Sequence, residues 1–107
     1  MAANIERLRQ MKDRAAVVGV GASPQGTFPD QDAYTLSLQA FQNALDDCGL
    51  TRRDIDGLIV QGPGNISFVR VGEMLGINPV VGANFDIGGL ATGPLIQYAA
   101  MLIATGM

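Results

Sequence analysis

Short apolar runs alternate with helix-like stretches along this chain, and few folds accommodate such an alternation. Three runs rich in apolar residues occupy residues 15–21, 57–61 and 79–86. Runs of this length and composition are typical of strands buried on both faces of a sheet. Each run is followed by a stretch whose apolar residues recur at helical spacing. The order β-α-β-α-β-α therefore predicts an α/β fold with an at least partly parallel sheet.

Capping signals bound the first long helix and the turn that follows it. Asp32 is expected to be the N-cap of an amphipathic helix, and Gly49 stands where a C-cap glycine is usual. Thr51 precedes Asp54 by three residues, the spacing of a capping box. The pattern predicts a single tight helical turn before the second apolar run.

The second half of the chain carries similar turn and helix-capping signals. We expect Gly62–Asn65 to break the second strand, and Ser67 to cap a short helix that ends at Gly76. A last helix is predicted from about Ala91, with Gly106 closing it.

Charge is scarce for a chain of this size. The 107 residues include 16% charged side chains, a net charge of −3 and 48% hydrophobic residues, against roughly 25% charged residues in ordinary soluble proteins. This composition excludes a disordered polar chain, and the acidic balance argues against a nucleic-acid binder. A small domain needs polar cover, so we expect part of the surface to be hidden by a partner or by further chain.

Catalysis by histidine and an intramolecular disulfide are excluded, because the chain has one cysteine and no histidine. The same composition argues against a zinc site, and no metal is expected. Residues 1–14 form a polar, weakly helical lead-in without the apolar core of a secretion signal. The apolar stretch 90–107 is too short and interrupted for a membrane helix. A cytoplasmic location is the default expectation.

Two weaker signals have structural explanations. Gly19 and Gly21 follow a predicted strand, as in dinucleotide-binding loops, but Pro24 stands in place of the third glycine and no helix opens at once. The alternative is a tight exit turn from a buried strand. Cys48 lies at a helix end near acidic residues, an environment that disfavours a thiolate. We expect it to be a small core residue.

The stretch from Asn84 to Pro94 is the candidate site. A strand followed by paired glycines and a helix start aims backbone N–H groups at a ligand. The candidate ligand-contacting residues are Asp86, Gly88, Gly89 and Thr92. Thr92 as a nucleophile would have Asp86 as its only nearby base. The alternatives are that Thr92 or Asp86 caps the helix and that the glycines allow close packing or unusual backbone angles.

Several stretches together resemble a known family. They are Ala16–Ser23, Ala44–Leu50, Arg53–Leu58 and Ala99–Gly106. With the Pro- and Gly-rich loop after the first, they resemble the N-terminal domain of thiolases, and most of all its sterol-carrier-protein-x-like, lipid-transfer branch. The resemblance implies a thiolase-like α-β-α layered fold, present in part, over residues 15–107, in a fragment of a longer protein.

Thiolases use a nucleophilic cysteine at the start of a helix that corresponds to the last predicted helix of this chain, from about Ala91. By that resemblance the cysteine position is Gly89, and glycine cannot form an acyl-enzyme. Asp86 falls where thiolases usually carry an asparagine. The resemblance implies acyl-CoA as substrate, without a bound cofactor, and a fragment that is inactive alone.

Three functions remain open. The first is an acyl-CoA enzyme of the acyltransferase or retro-aldolase type, cleaving C–C bonds of steroid or lipid side chains when complete. The second is a non-catalytic lipid-transfer or scaffold subunit of the same fold, and the third is a standalone interaction domain. The resemblance also implies a homodimer through residues 80–85 and the last helix, and a small OB-fold zinc-ribbon partner. The composition and the lack of a long apolar segment predict neither a nucleic-acid nor a membrane partner.

Overall fold

From residue 57 onward, strands and helices alternate as the sequence predicts, in a computed structural model that describes residues 2–62 and 66–107. Two short 3-10 turns, Arg52–Asp54 and Gly88–Leu90, precede the first strand and the last helix. The regular elements are α1 Ala2–Arg9, α2 Ala33–Cys48, β1 Gly57–Gln61, α3 Phe68–Leu75, β2 Val81–Phe85 and α4 Thr92–Ala104.

The two strands form a parallel sheet. Gly57 is opposite Val81 and Gln61 is opposite Phe85, so both strands end at the same edge. α3 connects them and packs on both, while α4 packs on β1 and α2 packs on α3. A parallel pair joined through a helix is the βαβ unit, and the α/β prediction is confirmed.

The buried core is small and centres on the helices. The apolar residues buried among those described are Leu45 of α2, Val71 and Leu75 of α3, and Ala91 at the start of α4. α2 and α3, which carry three of these four residues, pack against each other. The core therefore depends on a handful of side chains.

The predicted caps of α2 and α3 are confirmed. The Asp32 carboxylate accepts hydrogen bonds from the backbone N–H of Thr35 at 2.8 Å and from its hydroxyl at 3.0 Å. Ser67 Oγ accepts from Val69 N at 3.2 Å. Gly49 and Gly76 end the two helices in the left-handed conformation, each at φ 72°, which glycine adopts without strain.

The turn before β1 is also as predicted. The Asp54 carboxylate accepts hydrogen bonds from Thr51 N at 2.8 Å and from Thr51 Oγ1 at 3.1 Å. The last helix ends before Gly106, which has φ 78°. The lead-in is helical over Ala2–Arg9. The predicted break at Gly62–Asn65 lies for the most part outside the described residues.

The predicted first strand is wrong. Residues 15–21 form no strand, and Val17, Val18 and Val20 are 74%, 65% and 70% exposed. A strand needs a neighbouring strand for its backbone hydrogen bonds, and in the described chain β1 pairs with β2 alone. The segment is held on α2 instead, where Val20 N donates to the Asp47 carboxylate at 3.0 Å.

The glycines of this segment explain why it lies on a helix. A Cβ at Gly21 would overlap the backbone of α2 at Ala40 and Ala44, and one at Gly19 would lie 2.9 Å from Cys48 Cβ. Gly19 and Gly21 are therefore required for close packing against α2. They open no helix after a strand, which the dinucleotide-binding alternative needs.

The Asp32 cap makes a prediction about acid stability. Hydrogen bonds from the backbone and hydroxyl of Thr35 lower the pKa of this carboxyl below its ordinary value. A lowered pKa stabilises the folded state above the unfolded pKa, and that contribution is lost as the pH falls through the folded pKa. Asp32→Asn retains an acceptor for the cap without a titrating group. We expect the melting temperature, measured by circular dichroism, to fall less steeply in this variant than in the unmodified chain as the pH is lowered from about 5 to about 2. Identical melting profiles of the two proteins would contradict the role of the Asp32 carboxylate as a titrating cap.

No helix in the described residues is long and apolar enough to cross a membrane.

Candidate functional site

The candidate site is the turn that follows β2. Asp86 and Ile87 leave the strand, Gly88–Leu90 form a 3-10 turn, and α4 begins immediately afterwards. Ala91, 1% exposed, anchors the junction. Because the strands are parallel, the turn lies at the edge where both strands end, which is where open α/β sheets bind their ligands.

The two glycines of the turn differ in what they require. Gly88 has φ 68°, a left-handed conformation that other residues adopt only with strain. Gly89 does not have a positive φ, and a Cβ added there would meet nothing within 4 Å. Gly88 is thus required by the backbone, whereas the space at Gly89 would accept an added Cβ atom.

The turn leaves backbone donors uncommitted. The Gly88 carbonyl accepts from Ala91 N at 3.1 Å, and the Ala91 carbonyl accepts from Leu95 N at 2.9 Å. The N–H groups of Gly88 and Gly89 donate to no other backbone group in the described ranges. They stand next to a helix N-terminus, whose partial positive charge favours an oxyanion.

Asp86 and Thr92 are exposed on either side of these glycines. Neither side chain makes a hydrogen bond to another described residue, and the structure does not pair them as base and nucleophile. The expectation that Thr92 caps α4 is wrong, because Thr92 is the first helical residue and the N-cap position is Ala91, without a side-chain cap. Asp86 does not cap the following turn either.

Asn84 is a site residue whose role the sequence analysis missed. Its side-chain oxygen accepts a hydrogen bond from Phe68 N, the first residue of α3, at 2.7 Å. Gly62 N donates to the Phe85 carbonyl at 3.0 Å. The end of β2 is thus tied to the chain leaving β1 and to the start of α3. Asparagine is rare in strands, so its presence in the predicted third strand was the sequence signal that could have indicated this role.

An aromatic contact holds α4 against the end of β2. The rings of Phe85 and Tyr98 lie edge to face, with centroids 5.8 Å apart and planes at 70°. This is a favoured geometry for aromatic pairs. The contact joins the last residue of β2 to the middle of α4.

A separate apolar cleft of about 530 Å³ lies at the opposite end of the strands, between β1 and α4. It includes no residue of the Gly88–Leu90 turn. α4 carries no charged residue, and Ile96 and Ile103 are each 56% exposed. A helix that is apolar on all sides is normally covered by protein. Side chains lining the cleft include Ile55, Leu58, Val81, Leu95, Ala99 and Leu102.

Cys48 is half-buried, and its Sγ lies 3.7 Å from the Leu45 carbonyl. Its position against Gly19 agrees with the expected packing role. Within residues 2–62 and 66–107, no group of three or more Cys, Asp or Glu side chains could hold a metal ion.

The chain is similar in sequence to a carboxyl-CoA lyase and to a steroid side-chain-cleaving aldolase. It is 31% identical over 98 residues to a 17-hydroxy-3-oxo-4-pregnene-20-carboxyl-CoA lyase of Mycobacterium tuberculosis, covering 91% of this chain and 25% of that protein. It is 31% identical over 94 residues to a steroid side-chain-cleaving aldolase of Thermomonospora curvata, covering 87% and 24% respectively. The chain thus spans about a quarter of the length of these relatives. No protein-family model matches it.

Solved structures agree with the sequence relatives. The Ltp2-ChsH2(DUF35) aldolase superposes with a TM-score of 0.76 at 30% identity, over 85% of this chain and 24% of that one. A monomeric SCP2-thiolase-like protein type 1 from Mycobacterium smegmatis gives 0.67 at 29% identity, over 83% and 20%.

By fold and sequence, the chain is thiolase-like. The resemblance to the sterol-carrier-protein-like branch of the thiolases is confirmed, since the proteins that the chain is similar to include an SCP2-thiolase-like protein and steroid side-chain lyases.

Proposed function

We propose that this chain supplies the acyl-CoA-binding scaffold of a thiolase-like lyase that cleaves a C–C bond in a steroid or lipid side chain. The observation that carries the proposal is the Gly88–Gly89 turn, with free backbone donors beside a helix N-terminus and no side chain at the position matched to the thiolase cysteine. Both curated relatives are named for reactions on steroid substrates, one of them a CoA thioester.

The proposed chemistry needs no nucleophile. In a retro-aldol cleavage, a base removes the proton of a β-hydroxyl group, the hydroxyl carbon becomes a carbonyl, and the bond between Cα and Cβ breaks. Its electron pair passes into the thioester carbonyl to form an enolate, which takes a proton at Cα. The Gly88 and Gly89 N–H groups would stabilise the enolate oxygen, as preorganised donors do in oxyanion holes. None of the described residues is assigned as the base.

A non-catalytic scaffold is the second candidate. The observation in its favour is that Asp86 and Thr92 are the polar side chains flanking the turn, and neither contacts another described polar group. A scaffold would bind acyl-CoA without converting it. Turnover in the complete protein separates it from the first candidate.

The proposal includes a protein partner that buries the exposed apolar residues of α4. We propose a homodimer in which the exposed apolar face of α4 and the β2 region are buried, since exposed patches of this kind mark protein contacts. One solved relative is described as monomeric and another as an Ltp2-ChsH2 aldolase. The alternative partner, implied by the family resemblance, is a small OB-fold zinc-ribbon protein. Light scattering after size-exclusion chromatography distinguishes a dimer from a monomer.

Acyl-CoA binding tests the site directly. Replacing Gly88 with alanine places a residue with a side chain in the left-handed backbone conformation, at a penalty of about 1–2 kcal/mol. We expect the turn to relieve this strain by moving its backbone N–H groups. The Kd for acetyl-CoA, measured by isothermal titration calorimetry in the full chain, should rise by about fivefold or more.

Gly93→Ala is the matched control, because Gly93 lies in α4, does not have a positive φ and has open space around it. Its Kd should equal that of the unmodified chain. Absence of saturable acetyl-CoA binding would contradict the proposed function, and equal weakening by both substitutions would remove the turn from the site.

A further inference from the structure

One segment of the chain before α2 lies extended along that helix. A Cβ added at Gly19 would meet Ala44 and Cys48. One added at Gly21, two residues further on, would meet Ala40 and again Ala44. Two residues of the segment thus advance by four residues of the helix, about 6 Å along its axis. Two residues of a β-strand span roughly 6.6 Å, so the segment is as extended as a strand and runs toward the start of α2.

Hydrogen bonds from α2 cover one edge of this extended segment. Val20 N donates to the Asp47 carboxylate at 3.0 Å. The Asn43 side-chain amide donates to the Ala22 carbonyl at 2.9 Å. The backbone groups of successive strand residues point to opposite edges, so the even-numbered residues face these two side chains. The other edge carries the backbone groups of the odd-numbered residues in 17–21, and no backbone hydrogen bond of the described chain uses them.

The side chains of the same segment are apolar and exposed. The glycines at 19 and 21 face α2, so Val18 and Val20 point away from it, and they are 65% and 70% exposed. Residues 15–22 include no charged side chain. An extended apolar edge with unpaired backbone groups is a template for another strand, because pairing provides the hydrogen bonds that these groups lack.

The charge distribution indicates a second copy of the chain as the occupant, in antiparallel orientation. Residues 1–14 include four basic and two acidic side chains, whereas residues 23–51 include four acidic and no basic ones. Parallel pairing would bring two basic lead-ins together. In an antiparallel pair, the lead-in of each copy extends past Ala22 of the other, toward the start of α2, where Asp30 and Asp32 lie. Opposite charges therefore favour the antiparallel orientation.

We propose that residues 15–22 pair with the same segment of a second copy as an antiparallel two-stranded sheet, with Gly19 opposite Gly19. In this register the odd-numbered residues exchange the backbone hydrogen bonds. Val18 of each copy lies opposite Val20 of the other, a favourable pair of β-branched side chains. The contact involves neither α4 nor β2 and does not rest on the proposed function. One strand pair of this length buries less than the roughly 1,200 Å² of stable complexes, so we expect a weak association that depends on protein concentration.

Disulfide cross-linking of the full chain tests the pairing and its register. In a Cys48→Ser background, Val18→Cys and Val20→Cys are mixed and mildly oxidised. We expect mixed dimers to form at least about tenfold faster than either variant forms dimers alone. Residues opposite each other have Cβ atoms about 4.5–5.5 Å apart, whereas the same residue of the two copies is about 7–8 Å apart, a poor distance for a disulfide. Labelling one variant with heavy nitrogen identifies the mixed dimers by mass. Val69→Cys mixed with Val20→Cys is the control, because Val69 is 55% exposed on α3, and it should show no such gain.

A proline tests which edge of the segment is used. Val17→Pro removes a backbone N–H of the free edge, so adding it to both cysteine variants should slow formation of mixed dimers at least about tenfold. The melting temperature should be unchanged, because that N–H makes no backbone hydrogen bond in the described chain. Raising the salt concentration from about 0.05 M to about 0.5 M should also slow the cross-linking, since it screens the opposite charges.

Three outcomes would overturn the proposal. Mixed dimers might form no faster than those of the Val69→Cys control, or Val17→Pro could leave their rate unchanged. Dimers that form fastest from Val18→Cys alone would show a different register or a parallel pair.

Discussion

Replacing Leu75 with alanine is expected to lower the free energy of unfolding by about 2–5 kcal/mol. Leu75 ends α3 and is 3% exposed, on the helix that packs on α2 and both strands. Truncation would remove buried apolar contacts and leave a cavity that the surrounding helices fill only in part. The described core holds few buried side chains, so little else can compensate. Chemical denaturation followed by circular dichroism measures the loss.

Val69→Ala is the matched control for this substitution. Val69 lies in the same helix but is 55% exposed, so its truncation should change stability by no more than about 0.5 kcal/mol. A loss of similar size in both variants would show that the helix itself, and not burial at Leu75, determines stability.

Gly89→Cys is expected to give a folded chain with a reactive thiol. A Cβ at Gly89 meets nothing within 4 Å, and the backbone there does not have a positive φ, so we expect no loss of stability. A thiol close to a helix N-terminus is stabilised as the reactive thiolate. In a Cys48→Ser background, we expect alkylation by iodoacetamide at least about tenfold faster than that of Cys48 in the unmodified chain. Mass spectrometry follows the reaction.

Gly82→Cys is the steric control, because a Cβ there overlaps the Phe68 ring. This variant should lose stability by about 1–3 kcal/mol, as overpacked sites do. If the thiol introduced at Gly89 reacts no faster than Cys48, the match of Gly89 with the thiolase cysteine position is wrong. An acylated thiol after incubation with acetyl-CoA would strengthen that match.

Much of the fold was predictable because its signals are local. Asp32, Ser67, Gly49 and Gly76 act on backbone groups within a few residues of themselves, so their spacing in the sequence specifies helix ends. Strands β1 and β2 follow from apolar runs bounded by turns. The paired glycines marked the candidate turn, although the sequence did not show that Gly88 needs its backbone freedom and Gly89 does not.

The errors concern contacts between distant residues. Residues 15–21 have the composition of a buried strand, but strand formation requires a partner, and Gly19 and Gly21 place the segment on α2 instead. The capping role expected of Thr92 fails because the 3-10 turn shifts the start of α4, so that Ala91 occupies the cap position. No pattern along the chain reports either outcome.

The amino-acid sequence alone determined the α/β class, the helix boundaries, the lack of a cysteine at the turn and the thiolase-like relationship, because these depend on residue type and short-range spacing. Only the tertiary structure decided that Asn84 caps α3 across 16 residues of sequence, that the turn leaves backbone donors free, and that the first apolar run lies on a helix. The physical reason is that hydrogen bonds and steric contacts between elements depend on how the chain folds back on itself.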